Sequence, residues 1–175
     1  MAKVHTGNKA PDFELRGIDG KRVSLHEALK RGPVLAAFFK VSCPVCQFTF
    51  PFLERLFTAY ASERTTFWAI SQDDARDTRD FCAEYGVTFP ALLDDDGYPA
   101  SNEYGITNVP TYYLITPDGT VKVNSVGFGK RALEEISEEL ARFLGQPVVP
   151  VFKTGEVVPR LKTWLTFEKL GPVRT

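Results

Sequence analysis

The chain is poor in sulfur and in metal donors: three cysteines, two histidines and one methionine in 175 residues. An odd, small number of cysteines in a chain this long excludes the disulfide-dense framework of small secreted domains. No apolar run approaches the ~20 residues that a membrane-crossing helix needs. The polar stretch from Met1 to Pro11 lacks the ~7–15-residue apolar core of a secretory leader, which predicts a cytoplasmic protein unless a leader was removed. Charge of one sign is also lacking: 21 Lys plus Arg stand against 22 Asp plus Glu, with no basic block. Nucleic acid and anionic membrane are therefore poor partners.

What is present is an ordinary globular composition, 43% hydrophobic and 25% charged, in a chain of one-domain length. Such a chain buries roughly two-thirds of its unfolded surface, so its core needs no disulfide staples. Residues 12–24 read as a hairpin around Gly17-Ile18-Asp19-Gly20. Ser24-Leu25-His26-Glu27 is a capping box for a short helix stopped by Gly32 and Pro33. Val34 to Phe39 is continuously apolar, as in a strand covered on both faces, and is expected to run on to Val41 or Ser42. A helix to about Ser62 follows, with Phe50, Leu53, Phe57 and Tyr60 at helical spacing.

Thr65 to Ser71 reads as a second buried strand, and Asp73 or Asp74 caps the helix that ends at Gly86. Ala91 to Leu93, a short helix ending near Gly105, a strand pair turning at Pro117-Asp118-Gly119, and an amphipathic helix over 132–144 complete the pattern. Strand–helix–strand followed by a hairpin and a helix predicts an α/β domain with a mixed sheet over residues 1–145. The segment 146–175 has a different character. Pro147, Pro150, Pro159 and Pro172 interrupt it and its apolar residues keep no period, so an extended, surface-docked appendage is expected.

Two of the cysteines form Cys43-Pro44-Val45-Cys46. Such a pair is either half of a metal site or a redox pair. Zinc takes four ligands, and the missing ones would have to come from Cys82, His5 or His26, none of which has partner spacing. Disulfide exchange needs only one reactive thiolate and a second thiol close enough to resolve the mixed disulfide. A strand running into a helix near Pro44 would put Cys43 at the helix N-terminus, where free N–H groups and the positive dipole end favour an anion. Pro44 suits the first turn because its missing N–H has no acceptor there. Cys43 is then the nucleophile, and Cys46, one turn on and turned inward, the resolving thiol. Lys40 is a further candidate for stabilising the thiolate. Cys82 shares an apolar face with Phe81 and Tyr85 and reads as a small buried hydrophobe, the alternative being a second resolving partner. A partner-binding module with inert cysteines is the remaining alternative.

Ala10-Pro11-Asp12-Phe13, Phe39 through Cys46, Pro51, Asp94 to Gly97, Val109-Pro110-Thr111 and Pro117-Asp118-Gly119 occur in an order that resembles the thioredoxin superfamily. The similarity is to the branch holding the AhpC/TSA redoxins and the TlpA/ResA-like oxidoreductases. It spans residues 7 to 145 and leaves the tail uncovered. The resemblance implies a thioredoxin-like three-layer α/β/α fold with a mixed central sheet and an N-terminal β-hairpin. It implies thiol–disulfide oxidoreductase activity, with Pro110 a cis-proline facing Cys43 and with Val109, Pro110 and Thr111 beside the substrate. The expected substrate is a disulfide-containing protein or a small-molecule thiol, reset by an external dithiol. No cofactor beyond the redox-active Cys43–Cys46 disulfide is expected, and no metal.

The alternative within the superfamily is a peroxiredoxin with antioxidant activity. That chemistry wants Thr or Ser three residues before the reactive Cys, a Pro four earlier and an Arg near a later strand. Lys40, Ala36 and Pro110 occupy those places. The carboxylate that thioredoxin-like sites place on the strand six before the nucleophile is here Ala37. The Glu that some ResA-like members carry three after the second Cys is Thr49. The proton acceptor for Cys46 is left unassigned, with water the default.

Overall fold

The computed structural model describes residues 3–163. Strands β1 (Glu14–Gly17) and β2 (Arg22–Ser24) form the N-terminal hairpin, followed by helix α1 (Leu25–Leu29). Strand β3 (Val34–Phe39), helix α2 (Pro44–Tyr60), strand β4 (Thr66–Ser71), helix α3 (Ala75–Tyr85) and strand β5 (Ala91–Leu93) alternate through the middle of the chain. Helix α4 (Pro99–Tyr104), strands β6 (Thr111–Ile115), β7 (Val121–Val126) and β8 (Phe128–Gly129), helix α5 (Lys130–Leu144) and strand β9 (Leu161–Lys162) complete the described chain.

Seven strands form one sheet in the order β2-β1-β5-β4-β3-β6-β7. β3, β4 and β5 are parallel, whereas β6, β7 and the hairpin are antiparallel to their neighbours. The apolar run Val34–Phe39 is central, and all six of its residues are buried. Its alternation divides two cores. Leu35, Ala37 and Phe39 join the core under α2, α3 and α5; Val34, Ala36 and Phe38 join the core of α1, α4 and the N-terminal segment. This is the expected three-layer thioredoxin-like α/β fold with its mixed sheet and hairpin.

Several boundaries differ from expectation for visible reasons. β3 stops at Phe39 instead of reaching Val41, because the Val41 N–H leaves the ladder and bonds Asp73 Oδ2 at 2.8 Å. The capping box at α1 is half made: Ser24 accepts the Glu27 N–H at 3.2 Å, while the Glu27 carboxylate turns to Lys30 at 2.8 Å. Pro51 stands inside α2, where it cannot donate the usual helical bond. There α2 is held by packing. Phe50 lies against Phe39 and Phe81 with centroids 4.5 and 5.6 Å away, and each fully buried aromatic of this kind contributes ~1.5–3 kcal/mol.

Beyond α5 the chain lies across α2 and α5. The Tyr60 hydroxyl accepts the Val149 N–H at 2.8 Å, and Ser137 Oγ donates to the Val149 carbonyl at 2.7 Å. Arg55 bonds both oxygens of Glu156 and the Val151 carbonyl. β9 then pairs antiparallel with β8, Phe128 opposite Lys162. The rest of the Pro-containing segment, residues 164–175, lies outside the described residues.

Candidate active site

The site sits at the C-terminal end of β3. Because β3 ends early, the turn Lys40–Ser42 delivers Cys43 as the N-cap of α2, with Pro44 in the first helical turn. A helix N-terminus carries N–H groups with no helical acceptor. Here one of them, that of Cys46, is taken by Cys43 Sγ at 3.3 Å. The nucleophile therefore caps its own helix through its sulfur.

The two thiols ionise very differently. The Cys43 thiol is held down at about 7, chiefly by its hydrogen bond with the Cys46 side chain; burial opposes this and the amides of Cys46 and Val45 assist. The Cys46 thiol is pushed far above the ordinary range. Burial is the main cause, followed by the hydrogen bond and charge of Cys43, with Asp73 adding a smaller push in the same direction. One thiol supplies a thiolate near neutrality and the other keeps its proton as donor to it. Both are free thiols, so the structure is that of the reduced pair.

Cys43 is less open than the expected accessible thiolate, retaining only 5% of its exposure. The cover comes from the loop before β6. Cys43 Sγ lies 3.5 Å from the Val109 carbonyl oxygen, and the Val109–Pro110 peptide is cis. Ser42 and Pro44, which flank Cys43 in the chain, and Asn108, beside Val109, are exposed.

The other sequence candidates fall on two sides of that description. Val109 is half-buried over the sulfur and Pro110 is buried beneath the loop. Thr111 is fully buried, and its hydroxyl donates to the Asn108 carbonyl at 2.7 Å, bracing the loop. The Lys40 side chain is exposed and is not among the groups that lower Cys43. Lys40 acts through its main chain: its carbonyl accepts the Cys43 N–H at 3.2 Å and its amide stabilises a Cys46 thiolate. Cys82, on α3, is half-buried, and burial beside Glu54 pushes its thiol up to about 11, as for a packed hydrophobe. Thr49 turns its hydroxyl back to the Val45 carbonyl at 2.7 Å.

Asp73 is the residue that sequence reasoning missed at the site. It is visible there only as a candidate helix cap, a task that Asp74 performs by accepting the Asp77 N–H. Asp73 instead reaches from the end of β4 to the turn before Cys43, and Ser71 Oγ fixes it by accepting the Asp73 N–H at 3.1 Å. Gln47 of α2 holds the same turn from the other side, donating to the Val41 carbonyl at 3.0 Å. Among the described residues no group of three or more His, Cys, Asp and Glu is placed to hold a metal ion, and no helix is long and apolar enough to cross a membrane.

Comparison with known proteins agrees with this geometry. The AhpC/TSA family model matches residues 6–124. The ResA thiol–disulfide oxidoreductase of Halalkalibacterium halodurans is 31% identical over 137 residues, covering 77% of this chain and 77% of that protein. ResA of Bacillus thuringiensis (strain Al Hakam) is 27% identical over 143 residues, covering 81% and 78%. The crystal structure of a candidate thiol:disulfide interchange protein DsbE from Chlorobium tepidum superimposes with a TM-score of 0.70 at 28% identity, covering 82% of this chain and 100% of that one. Family model, relatives and a dithiol at a helix N-terminus converge, and the chain belongs to the AhpC/TSA family, on its ResA-like thiol–disulfide oxidoreductase branch.

Proposed function

We propose that this oxidoreductase works as a disulfide reductase, with Cys43 as nucleophile and Cys46 as resolving thiol. The observation that carries the reading is geometric: Cys43 Sγ caps α2 and accepts the Cys46 N–H at 3.3 Å while the Cys46 side chain is fully buried, an arrangement that lowers the Cys43 pKa and raises that of Cys46. The Cys43 thiolate attacks one sulfur of a substrate disulfide lying beside Val109 and Pro110. A Cys43–substrate disulfide forms and the first substrate thiolate leaves, taking a proton from solvent. Cys46 then loses its proton and attacks Cys43 Sγ. The Cys43–Cys46 disulfide forms, the second substrate thiol leaves, and two electrons have passed from protein to substrate. An external dithiol returns them.

A nucleophile pKa near 7 supports the reducing direction. Strongly oxidising pairs owe their power to a thiolate stabilised much further, with a pKa near ~3.5. A reducing compartment such as the cytoplasm fits that poise. The test is a single-turnover reduction of a model disulfide. Cys43→Ser abolishes it, and Cys46→Ser halts at a mixed disulfide that mass spectrometry detects. Wild-type turnover by Cys43→Ser would refute the assignment.

A further inference from the structure

The described part of the appended segment reaches the neighbourhood of the catalytic thiol. Pro110 follows Val109, whose carbonyl covers Cys43 Sγ, and the Pro110 carbonyl accepts the Gly127 N–H at 2.7 Å. Gly127 in turn lies directly under β9: a Cβ at 127 would collide with the Lys162 carbonyl oxygen and stand 3.1 Å from Thr163 Cα. On the helix side, Lys162 Nζ rests 4.4 Å from the ring centroid of Phe48, two residues after Cys46. β9 thus packs on Gly127, which is bonded to the Val109–Pro110 loop, and on Phe48 of α2. Its outward residue, Leu161, is 58% exposed and apolar.

We propose that Leu161 and Lys162 form a third wall of the substrate site and select extended peptide disulfides over small ones. This deepens, and rests on, the disulfide-exchange reading above. The argument is one of reach. An extended chain advances ~3.3 Å per residue, so a peptide joined to Cys43 and running past Pro110 meets β9, which covers Gly127, within two or three residues of its cysteine. A disulfide without such flanks never touches β9. The wall is also held firmly in place. The Lys130 N–H donates to the Arg160 carbonyl at 3.0 Å, and the Arg55–Glu156 pair ties the segment to α2 five residues before Leu161.

The experiment compares two disulfides in single turnovers of the reduced full chain. One is a disulfide-linked pair of ten-residue peptides with central cysteines; the other is hydroxyethyl disulfide. With Leu161→Asp and with Lys162→Ser the second-order rate constant for the peptide falls at least fivefold. The rate with hydroxyethyl disulfide stays within twofold of the unsubstituted protein, and the pH inflection of Cys43 alkylation does not move. Unchanged peptide rates in both variants would overturn the proposal. So would parallel loss of both substrates, which would show β9 acting on the dithiol itself. If the unsubstituted protein reduced neither disulfide, the exchange reading would fall first and the proposed wall with it.

Discussion

Cys43 Sγ accepts the backbone N–H of Cys46 at 3.3 Å, so the reactive sulfur and the helix that activates it are joined by a single bond. Reactivity and local structure are therefore coupled. Iodoacetamide alkylation of Cys43 is expected to rise with pH through an inflection near the value of about 7 that this environment gives. Cys46→Ala removes the side-chain donor that contributes most to the lowering but keeps the amide. The inflection should then move upward, toward the ~8.5 of a free thiol. A variant that titrated below the parent would contradict the assignment of the hydrogen bond as the leading cause.

Stability should depend on pH through the same two thiols, with opposite signs. Cys43 has a lowered pKa in the folded state, so between pH 7 and ~8.5 the unfolded chain binds more protons and stability rises with pH. Cys46 has a raised pKa, so above ~8.5 the folded chain holds a proton that the unfolded chain has lost. Stability of the reduced protein then falls, by up to ~1.4 kcal/mol per pH unit. Urea midpoints measured anaerobically from pH 6.5 to 9.5 would trace a rise and a decline. Cys46→Ala should lessen the decline, leaving the part that comes from Cys82, and should shrink the rise, because losing the Cys46 donor moves Cys43 toward its unfolded value.

Much of this was legible in the chain because the signals were local. The apolar run Val34–Phe39, the Cys43-Pro44-Val45-Cys46 pair and the Val109-Pro110 dipeptide each carry their own chemistry, and each occupies the element or turn its pattern suggests. What was not legible depends on contacts between distant residues. Asp73 and Val41 are 32 residues apart, and their bond both ends β3 early and sets the turn that presents Cys43. The burial of Thr111 and its bond to the Asn108 carbonyl likewise depend on the fold around β6. The appended segment has no internal period because its partners, Tyr60, Arg55 and Ser137, all belong to other elements.

The Asp73–Val41 bond can be tested apart from the catalytic thiols. Asp73→Asn keeps an acceptor for the half-buried Val41 N–H, whereas Asp73→Ala leaves that N–H unpaired at a cost of about 1–3 kcal/mol. Urea unfolding should therefore separate the two, with Asn near the parent and Ala well below. Both substitutions remove a negative charge that opposes ionisation of Cys46, so both should lower its pKa. Thiolate ultraviolet absorbance in a Cys43→Ser, Cys82→Ala background, where Cys46 is the remaining thiol, reads that change. Equal stability of the Asn and Ala variants would show that the bond contributes nothing to the fold.

Tyr60 offers the sharpest test of how the appended segment is held. Its hydroxyl is buried where α2 meets α5, 2.6 Å from Ser137 Oγ, and accepts the Val149 N–H at 2.8 Å. Ser137 Oγ also donates to the Val149 carbonyl, so both backbone polar groups of one residue depend on this pair. Tyr60→Phe keeps the ring and its packing but removes the acceptor of the part-buried Val149 amide, which solvent then reaches in part. The expected loss is about 0.5–1.5 kcal/mol. Because the hydroxyl binds the segment more than it binds the sheet, hydrogen exchange should accelerate first at Val149 and its neighbours. Exchange in β3 should follow only the change in global stability. If the β3 amides and Val149 instead accelerated by the same factor, residues 146–163 would unfold together with the body, and the segment would be part of the domain core and not a strap laid upon it.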